Sequence, residues 1–193
     1  IGMRLPGPGE CGLVSPEIVG LGLIGFSTNC LMVVFNTIGI EKKDTDKIPG
    51  GWGLAHLALG AMMILVGVSA YMANPLVADV VSGWVGIALV FYGFFWVFFG
   101  ASLVRGADLR PVGQISIAYA IVDLWFIRES LALKLYSLTL LLVILTIVFL
   151  VLYAAVHGRP SLFKANAVLL IILALLGFYI GFSFVAPGGY TPF

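Results

Sequence analysis

The chain has 193 residues, 61% of them hydrophobic and 10% charged, and a formal net charge of +1. Soluble domains carry roughly 25% charged residues, so too few charges are present to coat a water-facing surface, and the mean hydropathy of +1.13 agrees. The near-neutral balance also lacks the clustered basic face that nucleic-acid binding requires, which excludes that class of partner.

In chain order, residues 1–15 hold Arg4, Pro6, Pro8 and Glu10 without an uninterrupted apolar core. They read as an N-terminal extension rather than a cleavable signal, and the first helix is expected to be retained. No charge then occurs between Glu17 and Glu41, a length that predicts a first membrane-spanning helix. The stretch 41–51 mixes both charge signs with Pro and Gly and reads as a solvated connection. A second helix is predicted from Trp52 to Met72, ended by Asn74-Pro75, because proline cannot donate to the helical ladder. A third runs from Ser82 to Val104, before the polar turn of Arg105, Asp108, Arg110 and Pro111.

Val112 to Ile127 is the least apolar span, interrupted by Gln114, Ser116 and Asp123, with Arg128, Glu129 and Lys134 in the connection that follows. Leu135 to Val156 is again free of charge, His157-Gly158-Arg159-Pro160 closes it, and Ala165 to Val185 makes the sixth helix. At about 20 residues per span, six helices use nearly the whole length and leave no room for a soluble catalytic domain. The expected fold is all-α: an integral membrane protein of six transmembrane helices in a compact bundle. Residues 16–187 form its single domain and 188–193 a short tail, with a multi-pass location in the cell membrane.

Glycines recur along the spans, among them Gly60 and Gly67, seven residues apart and so on one stripe of the second helix. In lipid such small residues let backbones approach, and a narrow pore wall is the competing use of the stripe. Cytoplasmic loops normally hold the excess Lys and Arg. The odd-numbered connections carry Lys42, Lys43, Lys47, Arg105, Arg110, Arg159 and Lys164, against Arg4, Arg128 and Lys134 on the other side. The count places both termini outside.

The helices carry a collinear set of motifs. They are Gly22-Leu23-Ile24-Gly25-Phe26 in the first, Gly60 and Gly67 with Tyr71 in the second, and Tyr92-Gly93-Phe94-Phe95-Trp96 in the third. Gly113 with Tyr119, Leu145-Thr146-Ile147 and Ala174-Leu175-Leu176-Gly177-Phe178 follow in the last three. In this order the chain resembles the acetate uptake transporter family of succinate-acetate permeases and fungal ammonia/acetate exporters, as a diverged member. Ser15-Pro16 stands where that family has Asn-Pro-x-Pro, and Met63 and Ala70 stand where it commonly has Gln and Glu.

The resemblance implies a channel or transporter for acetate and related small carboxylates, such as succinate, in a homo-oligomeric ring, expected to be a hexamer, with both termini in the cytoplasm. It assigns Phe26, Tyr92 and Leu145 to a hydrophobic constriction, an arrangement that passes small, weakly hydrated solutes and penalises ions that must shed water. A second architecture of six helices, that of urea and short-amide channels of the AmiS/UreI type, is similar in Arg105-Gly106-Ala107-Asp108-Leu109-Arg110-Pro111 and in its outside termini. A non-transporting subunit of a larger membrane complex is the third reading.

Thr28, Asn29, Asn36, Trp96 and Tyr119 are candidates for the substrate pathway, the hydrogen-bonding side chains among them serving equally to join helices. His56 and Asp123 are the ionisable groups that a proton-linked step could use. An interfacial histidine, and an aspartate snorkelling toward the Arg128 end, are the plainer alternatives. Cys11 and Cys30 fit neither a disulfide framework nor a zinc knuckle. No catalytic triad, phosphate loop or metal-ligand spacing occurs, so neither a cofactor nor enzymatic activity is expected.

Overall fold

The computed structural model describes residues 16–38, 50–73 and 80–186. The N-terminal extension with Arg4 and Cys11, the tail from 188, the lysine-bearing first connection and the Asn74-Pro75 break lie outside the described residues. Six helices occur: α1 (Pro16–Ile38), α2 (Gly50–Ala73), α3 (Val80–Val104), α4 (Arg110–Ala132), α5 (Tyr136–Val156) and α6 (Leu162–Val185). Among the described residues there is no strand. All but α4 contain 21 to 24 consecutive residues apolar enough to cross a bilayer.

Helix α4 has 23 residues, a comparable length, and holds the charges that lower its hydropathy. Its arrangement still suits lipid, because Asp123 is turned fully inward while Ile121, Leu124 and Trp125 are exposed on the outer face. The charge pattern predicts an end at Ile127, but the helix continues through Arg128 and Glu129 to Ala132. Both residues are good helix formers, and Arg128 meets water at the exposed end. Lys164 likewise falls within a helix, the first turn of α6.

Three helices close in the same way. Ala107 N–H donates to the Ser102 carbonyl, Leu135 N–H to Ser130 and Arg159 N–H to Ala154, at 2.8–3.2 Å. Each bond spans a residue with positive φ: Gly106 at 60°, Lys134 at 58° and Gly158 at 111°. This six-to-one bond satisfies carbonyls that the helix end would leave bare, and it favours glycine at the left-handed position. At the other end of the third connection, Asp108 accepts from the Arg110 backbone N–H at 2.9 Å and from its guanidinium at 2.5 Å. Those bonds hold the exposed Asp108 carboxyl below its usual range.

The helices form a closed circuit, α1 beside α2, then α3, α4, α5, α6 and back to α1. Closest is the antiparallel pair α2 and α3. Gly53, Gly60 and Gly67 meet Gly100, Gly93 and Gly86 in register, each glycine against the backbone carbonyl of its counterpart. A Cβ on Gly60 would lie 2.9 Å from the Gly93 oxygen, and one on Gly93 2.8 Å from the Gly60 oxygen. The stripe on α2 is therefore a packing surface and not a pore wall. Gly20 and Gly181 join α1 to α6 similarly. Between α4 and α5 the join is polar, with Ser116 Oγ, 2.6 Å from the Gly113 carbonyl oxygen of its own helix, also 3.1 Å from that of Phe149, and Ser130 Oγ 2.8 Å from Thr139 Oγ1.

The α3–α4 approach differs in kind. Phe91, Tyr92, Phe95, Tyr119, Phe126 and Phe149 fill the gap with rings, the Phe91–Tyr119 pair stacking at 4.1 Å between centroids. Large rings hold these backbones apart, where glycines draw α2 and α3 together.

Candidate functional site

Three cavities follow one another along the bundle between α1, α3 and α5. The first, about 30 Å³, is bordered by Leu23, Trp84, Leu89 and Leu141. The second, also about 30 Å³, is bordered by Phe95, Trp96, Leu145, Phe149, Asn166 and Leu170. Phe26 and Tyr92 belong to the walls of both, so their rings, 6.2 Å apart between centroids, separate the two spaces. A third space of about 320 Å³ lies at the end of the bundle bearing the odd-numbered connections, with Asn36, Thr37, Leu103 and Phe163 in its wall. It shares Val33, Phe99, Leu152 and Asn166 with the second cavity. From Trp84 to Leu103 this row follows about 28 Å of α3 at ~1.5 Å per residue, close to the thickness of a bilayer core.

Helical periodicity explains which side chains arrive there. Tyr92, Phe95, Trp96 and Phe99 recur at three- and four-residue steps on α3, and Leu145, Val148, Phe149 and Leu152 do the same on α5. Each set is one stripe facing the axis. The opposite stripes, with Phe94 and Phe98 on α3 and Val143, Ile147 and Leu150 on α5, are exposed.

Tyr92 carries a polar group at the boundary of the two cavities, and that group is turned to α4. Its hydroxyl donates to Asp123 Oδ1. Thr146 Oγ1 lies 3.2 Å from Asp123 Oδ2 and 2.9 Å from the Leu142 carbonyl oxygen, the two acceptors open to its one proton. Asp123 is thus a fully buried carboxyl between α3 and α5 rather than a side chain reaching toward the Arg128 end. Burial of a carboxylate without partners is expensive, and the two hydroxyls supply them.

His56 is also fully buried, not interfacial. Its Nδ1 donates to Asn29 Oδ1 at 2.8 Å when the proton sits on that nitrogen, while Asn29 Nδ2 points to Met63 Sδ at 3.9 Å. The imidazole stacks on Trp96 with centroids 5.4 Å apart and rings 8° from parallel, and meets Phe99 edge-on at 5.1 Å. His56 Nε2 has no hydrogen-bond partner among the described residues. The Trp96 indole therefore stands between the histidine and the second cavity.

Of the pathway candidates, Trp96 borders the second cavity and Asn36 the third. Thr28 turns back to the Ile24 carbonyl at 2.8 Å, Asn29 is held by His56, and Tyr119 donates to the Phe91 carbonyl at 3.0 Å within the aromatic layer. None of these three borders the cavities described. Leu145 reaches only the second cavity, while its neighbours Leu141 and Leu142 reach the first. Sequence reasoning missed Asn166 and Trp84, although an uncharged hydrogen-bonding side chain in an otherwise apolar helix, the signal that singled out Asn29, is also present at Asn166. Among the described residues no group of three or more His, Cys, Asp or Glu could hold a metal ion, and Cys30 is a buried free thiol.

No family model matches the chain, and no curated protein matches it. Among solved structures it is similar to the bacterial acetate channel SatP, with a TM-score of 0.68 and 18% sequence identity, covering 90% of this chain and 93% of that one. At that identity the likeness is one of fold, that of a multi-pass membrane bundle.

Proposed function

We propose that the chain is a membrane channel or transporter for acetate and related small carboxylates, succinate among them, and a diverged member of the acetate uptake transporter family. One observation carries this reading: Phe26 and Tyr92 border two successive cavities on the bundle axis, the position of a selective neck. An apolar neck between small cavities admits small solutes and raises the barrier to hydrated ions. The fold shared with an acetate channel supports the substrate class. Phe26, Tyr92 and Leu145 form the constriction in this reading, and Trp96 and Asn36 lie on the way to it.

Each subunit has its own path, and the exposed apolar faces of α2, α5 and α6 provide the contacts of a ring, by resemblance a hexamer in the cell membrane. Counterflow of labelled acetate into proteoliposomes tests the function. Uptake above protein-free vesicles is expected, and its absence with intact, oriented protein would rule the reading out. Native mass spectrometry in detergent gives the copy number.

A further inference from the structure

We infer that the solute crosses the Phe26–Tyr92 neck uncharged, as the protonated acid, so that short primary carboxamides such as acetamide share the path. The inference rests on the proposed carboxylate path and concerns the species that travels it.

No charged side chain borders any of the three cavities among the described residues. Arg105, Arg110, Arg128, Lys134, Arg159 and Lys164 all lie at or near helix ends. Two ionisable groups touch the wall from behind. Asp123, faced by Tyr92 from α3 and by Thr146 from α5, is either neutral or negative, and in neither state does it attract an anion. His56, faced by Asn29 from α1 and by Trp96 and Phe99 from α3, is screened from the cavity by the Trp96 indole. A carboxylate entering the neck would lose its water and gain no countercharge, the costliest form of burial.

The second cavity's surface is apolar, and two polar side chains among its bordering residues carry groups that suit a neutral partner. Trp96 and Asn166, 4% and 3% exposed, both border the second cavity. Trp96 Nε1, a donor, and Asn166 Oδ1, an acceptor, are buried without a partner among the described residues. A carboxylic acid or a primary carboxamide carries one acceptor and at least one donor on a planar head, the chemical complement of this pair. A carboxylate has acceptors only and would leave the Asn166 oxygen facing negative charge. Turning the Asn166 amide over exchanges acceptor for donor but adds no charge.

The test uses proteoliposomes of the full chain, with labelled acetate and labelled acetamide and a potassium diffusion potential set by valinomycin. Protein-dependent acetate uptake is expected to be the same at either sign of potential. At fixed total acetate it should fall about tenfold per pH unit above the acid's own pKa, while acetamide flux, whose charge does not change, reports any titration of the protein itself. Asn166→Leu and Trp96→Phe should each lower acetamide flux roughly two- to tenfold, the loss of one hydrogen bond. Acetate uptake that follows the potential, or acetate counterflow with no acetamide permeation, overturns the inference and leaves the acetate path standing. Absence of acetate counterflow removes both.

Discussion

The hydroxyl of Tyr92 donates to the carboxyl of Asp123, so a residue of α4 that borders none of the cavities fixes the ring that divides two of them. Phe26 opposite has no polar group and is held by packing alone, against Tyr92 and, at 6.3 Å between centroids, Trp96. One side of the neck is therefore anchored and the other is not.

Replacing the anchor separates its two parts. Asp123→Asn keeps an acceptor for Tyr92 and should retain most stability and flux. Asp123→Leu strands the Tyr92 hydroxyl in an apolar bundle, at a cost of about 1–3 kcal/mol, and lets the ring tilt. Thermal unfolding in detergent and acetate counterflow measure the two effects; an unchanged midpoint and unchanged flux in the leucine variant would mean the bond holds nothing.

Phe26→Ala joins the two cavities. Protein-dependent flux should rise and discrimination between acetate and longer monocarboxylates should fall. Emptying so buried a position also costs about 3–5 kcal/mol of stability, so Phe26→Leu provides a milder step in the same direction. Leu145→Ala enlarges only the second cavity and should change selectivity less. Equal selectivity ratios in all three variants would place the size filter elsewhere.

Glycine substitutions should divide by what the new methyl meets. Gly93→Ala sets a Cβ 2.8 Å from the Gly60 carbonyl oxygen, which is backbone and cannot yield without parting the helices. A loss of about 1–3 kcal/mol follows from such overpacking. Gly25→Ala meets the terminal methyl of Met62, the end of a flexible side chain, and should be tolerated. Comparing unfolding midpoints and the yield of monodisperse protein checks the order; tolerance of both would show the α2–α3 contact to be slack.

Lys134 holds φ at 58° in the turn between α4 and α5, a position glycine occupies in the equivalent turns at Gly106 and Gly158. A side chain there costs roughly 1–2 kcal/mol, partly offset by the greater freedom glycine brings to the unfolded chain. Lys134→Gly should therefore raise stability by up to about 1 kcal/mol, read as a higher unfolding midpoint. A lower midpoint would mean that the lysine makes a favourable interaction in the turn.

Much of the fold was legible because the bilayer simplifies the code. Charge-free runs of more than twenty residues place α1, α3 and α5 to within a few residues of Ile38, Val104 and Val156. Helix α4 was blurred because a residue-by-residue reading counts Asp123 against burial and has no access to Tyr92, 31 positions away in sequence, which makes that burial affordable. The same limit applied to His56: near the start of an apolar run it reads as interfacial, and only the approach of Asn29 and Trp96 explains its position inside. The seven-residue glycine period was visible on α2, but its counterpart on α3 had to be brought alongside, in antiparallel register, before the stripe could be told from a pore wall.

That register has a mechanical consequence. Carbonyl-to-glycine contact along α2 and α3, repeated at Gly20 and Gly181 for α1 and α6 and replaced by hydroxyl bonds for α4 and α5, makes the bundle three stiff two-helix slats. Slats of this kind bend little, so room for a passing solute has to come from the seams between them. The seam beside Tyr92 is filled with rings, and turning a ring about its side-chain bonds needs no helix to slide. In the channel proposed above, passage is then a matter of turning side chains within a frame that stays still.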